Sequence, residues 1–401
     1  MSETIEFVSL ADVCEINPKG AVGLPWDTEV TFVPMAAVDE KTGTIQSAEL
    51  RRYGDVAKGY TVFRDRDVLF AKITPCMENG KIAIANNLQN GWGFGSTEFH
   101  ILRTSSQIIP EWIYYFLRQE KVRHFAALNM TGTAGQQRVP KSIFEKLIIP
   151  LPPISAQQQI TAILEKADAV REKRRRANQL TEQFLQSAFL EMFGDPATNP
   201  KGWKKSEFGE VVSDTRLGLV RGSSEQNEQY EYSYVKMNSI TRNGYLDLSS
   251  VTRVNATSAE VEEHSLLKKD FLFNTRNSRE LVGKTALFLG DGVYLFNNNI
   301  LRVRFTDSIS AEFIAQLFQT SWIQQELEKR KSGTTNVFAI YYKDLRSLPI
   351  ILPPLSEQQE FAALVEKVES LRAKQRQSEQ ELEHLFHSLM QRAFRGELVK
   401  E

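Results

Sequence analysis

The feature that most constrains this chain is that it is written twice. Residues 147–159 read LIIPLPPISAQQQ and residues 348–360 read LPIILPPLSEQQE, so that Pro353 stands 201 residues after Pro152. The same offset aligns Glu165-Lys166 with Glu366-Lys367, Arg171 with Arg372 and Phe193 with Phe394. Upstream it aligns Thr131-Gly132-Thr133 with Ser332-Gly333-Thr334. Earlier still the register drifts by a few residues. Phe32-Val33-Pro34-Met35 matches Tyr234-Val235-Lys236-Met237, and Gly80-Lys81-Ile82-Ala83 matches Gly283-Lys284-Thr285-Ala286. A period this long excludes a solenoid. It implies two whole copies of one module, each a diverged block followed by a better-matched one.

The better-matched block of each copy predicts a long helix. Ser155 and Ser356, each just after Pro-Pro, fall at a predicted N-cap. Beyond them a row recurs at spacings of three and four. In the first copy it is Ile160, Ile163, Ala167, Val170, Arg174, Ala177, Thr181, Phe184 and Ala188. In the second it is Phe361, Leu364, Val368, Leu371, Gln375, Ser378, Leu382, Leu385 and Leu389. Such a row predicts a coiled-coil seam. Glycine and proline are absent from both interiors, while Gly194 with Pro196, and Gly396, mark the ends. Off the seam, Phe189, Met192, Phe193, Met390 and Phe394 gather near the helix ends, where they could enter the globules or meet a partner.

The diverged blocks carry short β-like runs (Asp67–Ala71, Lys81–Ala85, Phe99–Leu102) between Gly, Asn and Pro punctuation. They also carry helical patches at Glu111–Gln119 and Ala311–Gln325. The fold class expected is therefore α+β: two similar α/β globules separated by two long antiparallel coiled-coil helices, with a pseudo-two-fold internal repeat. The divisions are 1–150, 151–197, 198–351 and 352–401. The second helix can bury its seam only by running back along the first, which predicts a dumbbell with globules at a fixed separation. Two-fold-related modules on a rigid spacer suit duplex DNA, whose half-sites share that symmetry; a purely structural spacer is the competing reading.

Charge and cysteine content narrow the setting. The 401 residues carry a net charge of −1, which excludes a uniformly basic nucleic-acid coat but not a local basic face. Two cysteines, Cys14 and Cys76, make neither a disulfide framework nor a Cys-rich zinc site, so a reducing cytoplasm is expected. The first residues, MSETIEFVSL, lack a signal-peptide pattern, and no apolar run is long enough for a membrane span.

Several segments together resemble the specificity subunits of type I restriction–modification systems. They are LPPISAQQQ and LPPLSEQQE at the two helix starts and AKITPCMENGKIAIA in the first globule. FNTRNSRELVGKTALF and FNNNILRVRF follow in the second, and AFRGEL near the C-terminus. The resemblance runs over essentially the full length. It implies two target-recognition domains joined by two helical repeats, and binding to an asymmetric bipartite site on double-stranded DNA. It also implies recruitment of methylation and restriction subunits; two equivalent helix ends under the pseudo-two-fold would recruit two methylation subunits. The two globules differ strongly from each other, as they would if each reads a different half-site.

Particular residues fit that task. Lys72, Thr74, Asn79 and Lys81 lie on a punctuated loop between two predicted strands. Lysine serves phosphate or guanine, and asparagine can pair with adenine; an ordinary polar hairpin is the alternative. Arg276, Asn277, Ser278 and Arg279, with Lys284 nearby, concentrate the side chains best shaped for bidentate base reading, against the alternative of a solvated turn. Gln136, Gln137 and Arg138 in the first copy, and Thr334, Thr335 and Asn336 in the second, belong to the repeated small, polar loops, suited to close approach to a backbone. The basic run Lys173-Arg174-Arg175-Arg176 reads as a local solvated face or a contact to phosphate or an acidic partner.

Catalysis is the competing class of function. The Pro-Pro pairs follow Leu rather than Asn or Asp, unlike an adenine methyltransferase motif, and no phosphate-binding Gly-x-x-x-x-Gly-Lys-Ser/Thr loop occurs. Glu78-Asn79-Gly80-Lys81 lacks the further carboxylate that metal-assisted hydrolysis needs, and the five histidines form no metal motif. The expectation is a non-catalytic subunit without cofactor or metal.

Overall fold

The computed structural model of the chain describes residues 6–19, 23–133, 135–334 and 336–398. It divides into two units, one of residues 1–175 with 377–401 and the other of residues 176–376. Two uninterrupted helices, Ile154–Phe193 and Leu355–Arg395, are each shared between the units. Neither helix is a domain of its own: each unit owns one globule, the N-terminal half of the helix leaving it and the C-terminal half of the other helix.

The globule of the first unit is built on a four-stranded antiparallel sheet in the order Cys14–Ile16, Phe99–Thr104, Val68–Ala71, Ile82–Ile84. The second unit repeats it as Val212–Leu217, Ile300–Phe305, Phe271–Asn274, Thr285–Leu287. Each globule adds a second sheet containing one parallel pair, Glu29–Val33 with Trp92–Gly95 in the first and Tyr232–Val235 with Tyr294–Phe296 in the second. The strands expected at 67–71, 81–85 and 99–102 are present. The single helical patch expected at 311–325 is two helices, Ala311–Leu317 and Ser321–Arg330, because Thr320 caps the second through its side chain.

An ion pair on a buried carboxylate recurs in each main sheet. Asp67 accepts from Arg103 Nε and Nη2 at 2.9 and 2.7 Å, and Asp270 accepts from Arg304 Nε and Nη2 at 2.7 and 3.1 Å. Both carboxylates also take a backbone N–H, of Arg64 and of Leu267. The recurrence marks the pair as part of the common frame.

The Pro-Pro motif has a similar explanation. The helices begin at Ile154 and Leu355, so Ser155 and Ser356 lie inside them and not at the N-caps. Pro153 and Pro354 take that place, their carbonyls accepting from Gln157 N and Gln358 N. Gln157 is fully buried. Its Oε1 accepts from Ile109 N at 3.0 Å, while Nε2 donates to Pro152 O and Gln107 O. Gln358 repeats the arrangement with Ser310 N at 2.9 Å and Pro353 O at 2.8 Å. The glutamine thus ties each helix start to its globule. Gln358→Ala should orphan a buried N–H and a carbonyl, costing roughly 2–3 kcal/mol, and Gln157→Ala, which releases a second carbonyl, should cost at least as much. Urea unfolding of the two variants measures this.

Within each unit the two half-helices run antiparallel. In the first, Arg171 Nε donates to Glu383 Oε1 at 2.9 Å beneath the ring of Phe386, and Ile160 and Leu164 share a core with Met390, Ala393 and Phe394. In the second, Gln375 donates to Thr181 Oγ1 at 2.9 Å, and Phe361 packs on Phe189 and Phe193.

The seam departs from its sequence reading at Ile163, Val170, Phe184, Leu371 and Leu385, which are exposed. Ile160, Thr181, Phe361, Val368 and Gln375 are buried as expected. Val170, Phe184, Leu371 and Leu385 are 47%, 50%, 48% and 52% exposed. Leu164, Leu185 and Phe386 are buried instead. The cause is a second packing surface. Each half-helix also lies on its own globule, and successive residues sit about 100° apart around an α-helix, so the buried stripe rotates toward the globule. That surface also takes the off-seam residues: Phe394 lies 4.4 Å from Trp112, and Phe193 lies 4.9 Å from Phe313, ring centroid to centroid.

Candidate nucleic-acid interface

In each globule the residues singled out from two distant stretches of sequence meet on one small ribbon. In the first, the chain leaving Val68–Ala71 pairs with the 131–139 loop. Ile73 and Thr131 both bridge to Arg138, Thr74 N donates to Gln137 O at 3.0 Å, and Val139 N donates to Lys72 O at 2.8 Å. In the second, Arg276–Asn277 pairs with Val337–Ala339, which pairs with Ser332–Thr334. Ile340 N donates to Thr275 O at 3.0 Å. The hydrogen-bond pattern therefore superposes Lys72 on Thr275, Ile73 on Arg276, Thr74 on Asn277, and Arg138 on Ala339.

The residues common to both ribbons build the frame. A Cβ on Gly333 would stand 2.2 Å from Val337 O, and one on Gly132 would stand 2.9 Å from Gln136 O. Glycine is needed where the two arms of the loop touch, which accounts for the repeated Thr/Ser-Gly-Thr. Lys81 and Lys284 also belong to the frame. Lys81 Nζ donates to Met35 O and Val38 O at 3.3 and 3.0 Å, and Lys284 Nζ donates to Met237 O at 3.0 Å and to Ile240 O. Burial, with Arg242 nearby, pushes the Lys284 pKa below the ordinary lysine value. Both ammonium groups are spent on carbonyls of a neighbouring loop. Asn277 is similarly engaged, donating to Asn274 Oδ1 and accepting from Ser278 N, each at 2.9 Å.

What differs between the copies is the chemistry offered outward. The first ribbon presents Gln136 and Asn79, both exposed, with Lys72, Thr74 and Gln137 half-buried. Thr74 Oγ1 lies 3.4 Å from Met130 Sδ. Arg138 is held by Glu98 through Nε and Nη2 at 2.9 and 2.7 Å, which keeps the Glu98 carboxyl below its ordinary pKa. The second ribbon presents Arg276 and Arg279, both exposed, and Asn336 at its turn. Arg279 donates through Nε and Nη2 to Glu328 Oε1 at 2.8 and 2.7 Å. Lys331 and Arg279 together hold the Glu328 pKa down. Thr335, and the side chain of Thr334, lie outside the described residues. Sequence reasoning missed Glu98, Glu328, Phe338 and Tyr341, which contact these arginines across 40, 49, 59 and 65 residues of sequence.

Among the described residues no group of three or more His, Cys, Asp or Glu is placed to hold a metal ion, and no helix is long and apolar enough to cross a membrane.

The chain is 38% identical over 169 residues to the type I restriction enzyme EcoEI specificity subunit of Escherichia coli, covering 41% of this chain and 28% of that protein. It is 42% identical over 158 residues to the EcoAI specificity subunit of the same organism, covering 39% and 26%. These matches span about a quarter of each relative. A solved structure described as the basis of complex assembly and conformational transition of the type I R-M system is 25% identical, with a TM-score of 0.53 over 98% of both chains. The sequence profile of the type I restriction modification DNA specificity domain matches residues 2–182 and again residues 200–384, so the chain belongs to that family and carries its domain twice.

Proposed function

We propose that the chain is the non-catalytic DNA sequence-recognition subunit of a type I restriction–modification complex. It binds an asymmetric bipartite site on duplex DNA and recruits methylation and restriction subunits. The observation that carries this reading is the ribbon: one frame, kept in both globules, presents a different set of polar side chains in each. A pure scaffold has no reason to vary the outward residues while holding the frame. Among the sequence candidates, Lys72, Thr74, Asn79, Gln136, Gln137 and Arg138 serve one half-site and Arg276, Ser278, Arg279 and Asn336 the other. Asn277, Lys81 and Lys284 hold these loops in shape.

A net charge of −1 limits what the chain can do alone, because phosphate neutralisation supplies most non-specific affinity. Partner subunits are expected to contribute much of the grip on the backbone. A band-shift assay tests this: sequence-specific binding should be weak with the chain alone and strong once a methylation subunit is added. No DNA binding in either condition would favour a scaffold.

The partners are expected on the long helices. Ile163, Val170 and Leu385 in the first unit, and Phe184 and Leu371 in the second, are exposed apolar side chains. Val170 matches Leu371 and Phe184 matches Leu385 under the 201-residue repeat. Two equivalent stripes recruit two copies of one methylation subunit. The mass of the assembled complex should show two methylation subunits per chain; one per chain at saturation would contradict equivalence of the stripes.

A further inference from the structure

We infer that Tyr341 is a positioning residue for DNA readout, presenting the Arg276 guanidinium to a guanine of the second half-site. The inference rests on the reading of the second globule as a base reader. Arg276 Nη2 donates to Tyr341 Oη at 2.9 Å, and its Cζ stands 5.7 Å from the centroid of the Tyr341 ring. Both ends of this contact are anchored. The backbone of Arg276 pairs with Ala339 in the ribbon. The backbone of Tyr341 caps the short helix Tyr342–Leu345: its carbonyl accepts from Asp344 N and Leu345 N, and its N–H donates to Asp344 Oδ2 at 3.2 Å. A long arginine side chain is thus held before the ligand arrives, which lowers the ordering cost of binding.

The two arginines of this ribbon are prepared for different tasks. Arg279 has its Nε and Nη2 edge committed to the Glu328 carboxylate. Arg276 meets a neutral phenol through a single N–H. Its positive charge is not cancelled there, and a fork of two parallel donors remains. That fork matches O6 and N7 of guanine in the major groove, which a two-stranded ribbon can enter.

The repeat supplies an independent argument. The contacts of the frame recur in both copies: Asp67–Arg103 with Asp270–Arg304, Gln157 with Gln358, and Lys81 with Lys284. Arg276 and Tyr341 superpose on Ile73 and Pro140, so neither partner has its counterpart in the first globule. A pair missing from the frame belongs to what distinguishes one half-site from the other.

The test assembles the full chain with its methylation subunits, supplies duplexes with a randomised second half-site, and reads the methylated sequences. Arg276→Ala should relax the preference for guanine at one position by roughly tenfold or more. Tyr341→Phe keeps the ring and removes the hydroxyl. It should relax that same position by about 3- to 10-fold, with other positions and the melting temperature unchanged. If Arg276→Ala relaxes a position that Tyr341→Phe leaves intact, the positioning role is wrong and base reading by the globule stands. If both variants bind all sequences more weakly, with a shallower salt dependence, Arg276 clamps a phosphate and the guanine assignment is overturned. If Arg276→Ala leaves every preference in the second half-site unchanged, base reading through this ribbon itself fails.

Discussion

Phe184→Glu combined with Leu385→Glu is expected to abolish assembly with the methylation subunits while leaving the chain folded. Both side chains are about half exposed, although each occupies a heptad position that would be buried if the helices packed only on one another. Exposed apolar residues at matched positions of a repeat are what a repeated interface requires. Truncating a central apolar anchor costs about 2 kcal/mol or more, and a buried unpaired carboxylate costs further. Each substitution should therefore weaken its own interface at least about 30-fold. Analytical ultracentrifugation of the double variant with methylation subunits should show unassembled chain. Each single variant should give a complex with one methylation subunit. Full assembly by the double variant would place the partners on another surface.

The second large effect concerns stability. Asp270→Ala removes the carboxylate that holds Arg304 and accepts from Leu267 N, leaving an orphaned N–H and an arginine without its charge partner. Breaking a buried pair from one side costs about 3–5 kcal/mol. Arg304 is about a third exposed, so the lower end of that range is expected. Hydrogen exchange should show lost protection across residues 176–376, with residues 6–175 retained. Asp67→Ala should give the mirror result, because the same pair stands in the first globule. Equal loss in both units from either substitution would mean that they unfold together.

The duplication, the two long helices and the principal strands were all legible in the sequence. They depend on local periodicity or on direct matching of residues. The phase of the seam was only half legible. A heptad template finds the row Ile163, Val170 and Phe184, but it cannot know that the globule beneath the helices claims Leu164 and Phe386 instead. The drift in register between the copies concealed Asp67–Arg103 and Asp270–Arg304 as one repeated pair.

The candidate readers were legible as a set and not as individuals. Lys81 and Lys284 look like phosphate ligands from composition. A lysine kept at the same place in two otherwise diverged globules, however, is better explained as frame, and both spend their ammonium groups on carbonyls 43 to 47 residues away. Tyr341 carried no local signal, because its contact with Arg276 exists only once the ribbon is formed.

The central claim is that two globules read two half-sites independently. Its most direct measurement replaces residues 1–150 by the corresponding segment of a family member with a different target, then maps methylated adenines across the genome of cells expressing the hybrid chain. The account predicts that one half of the methylated sequence changes to that of the donor while the other half is retained. A change in both halves, or in neither with the hybrid folded and active, would contradict it.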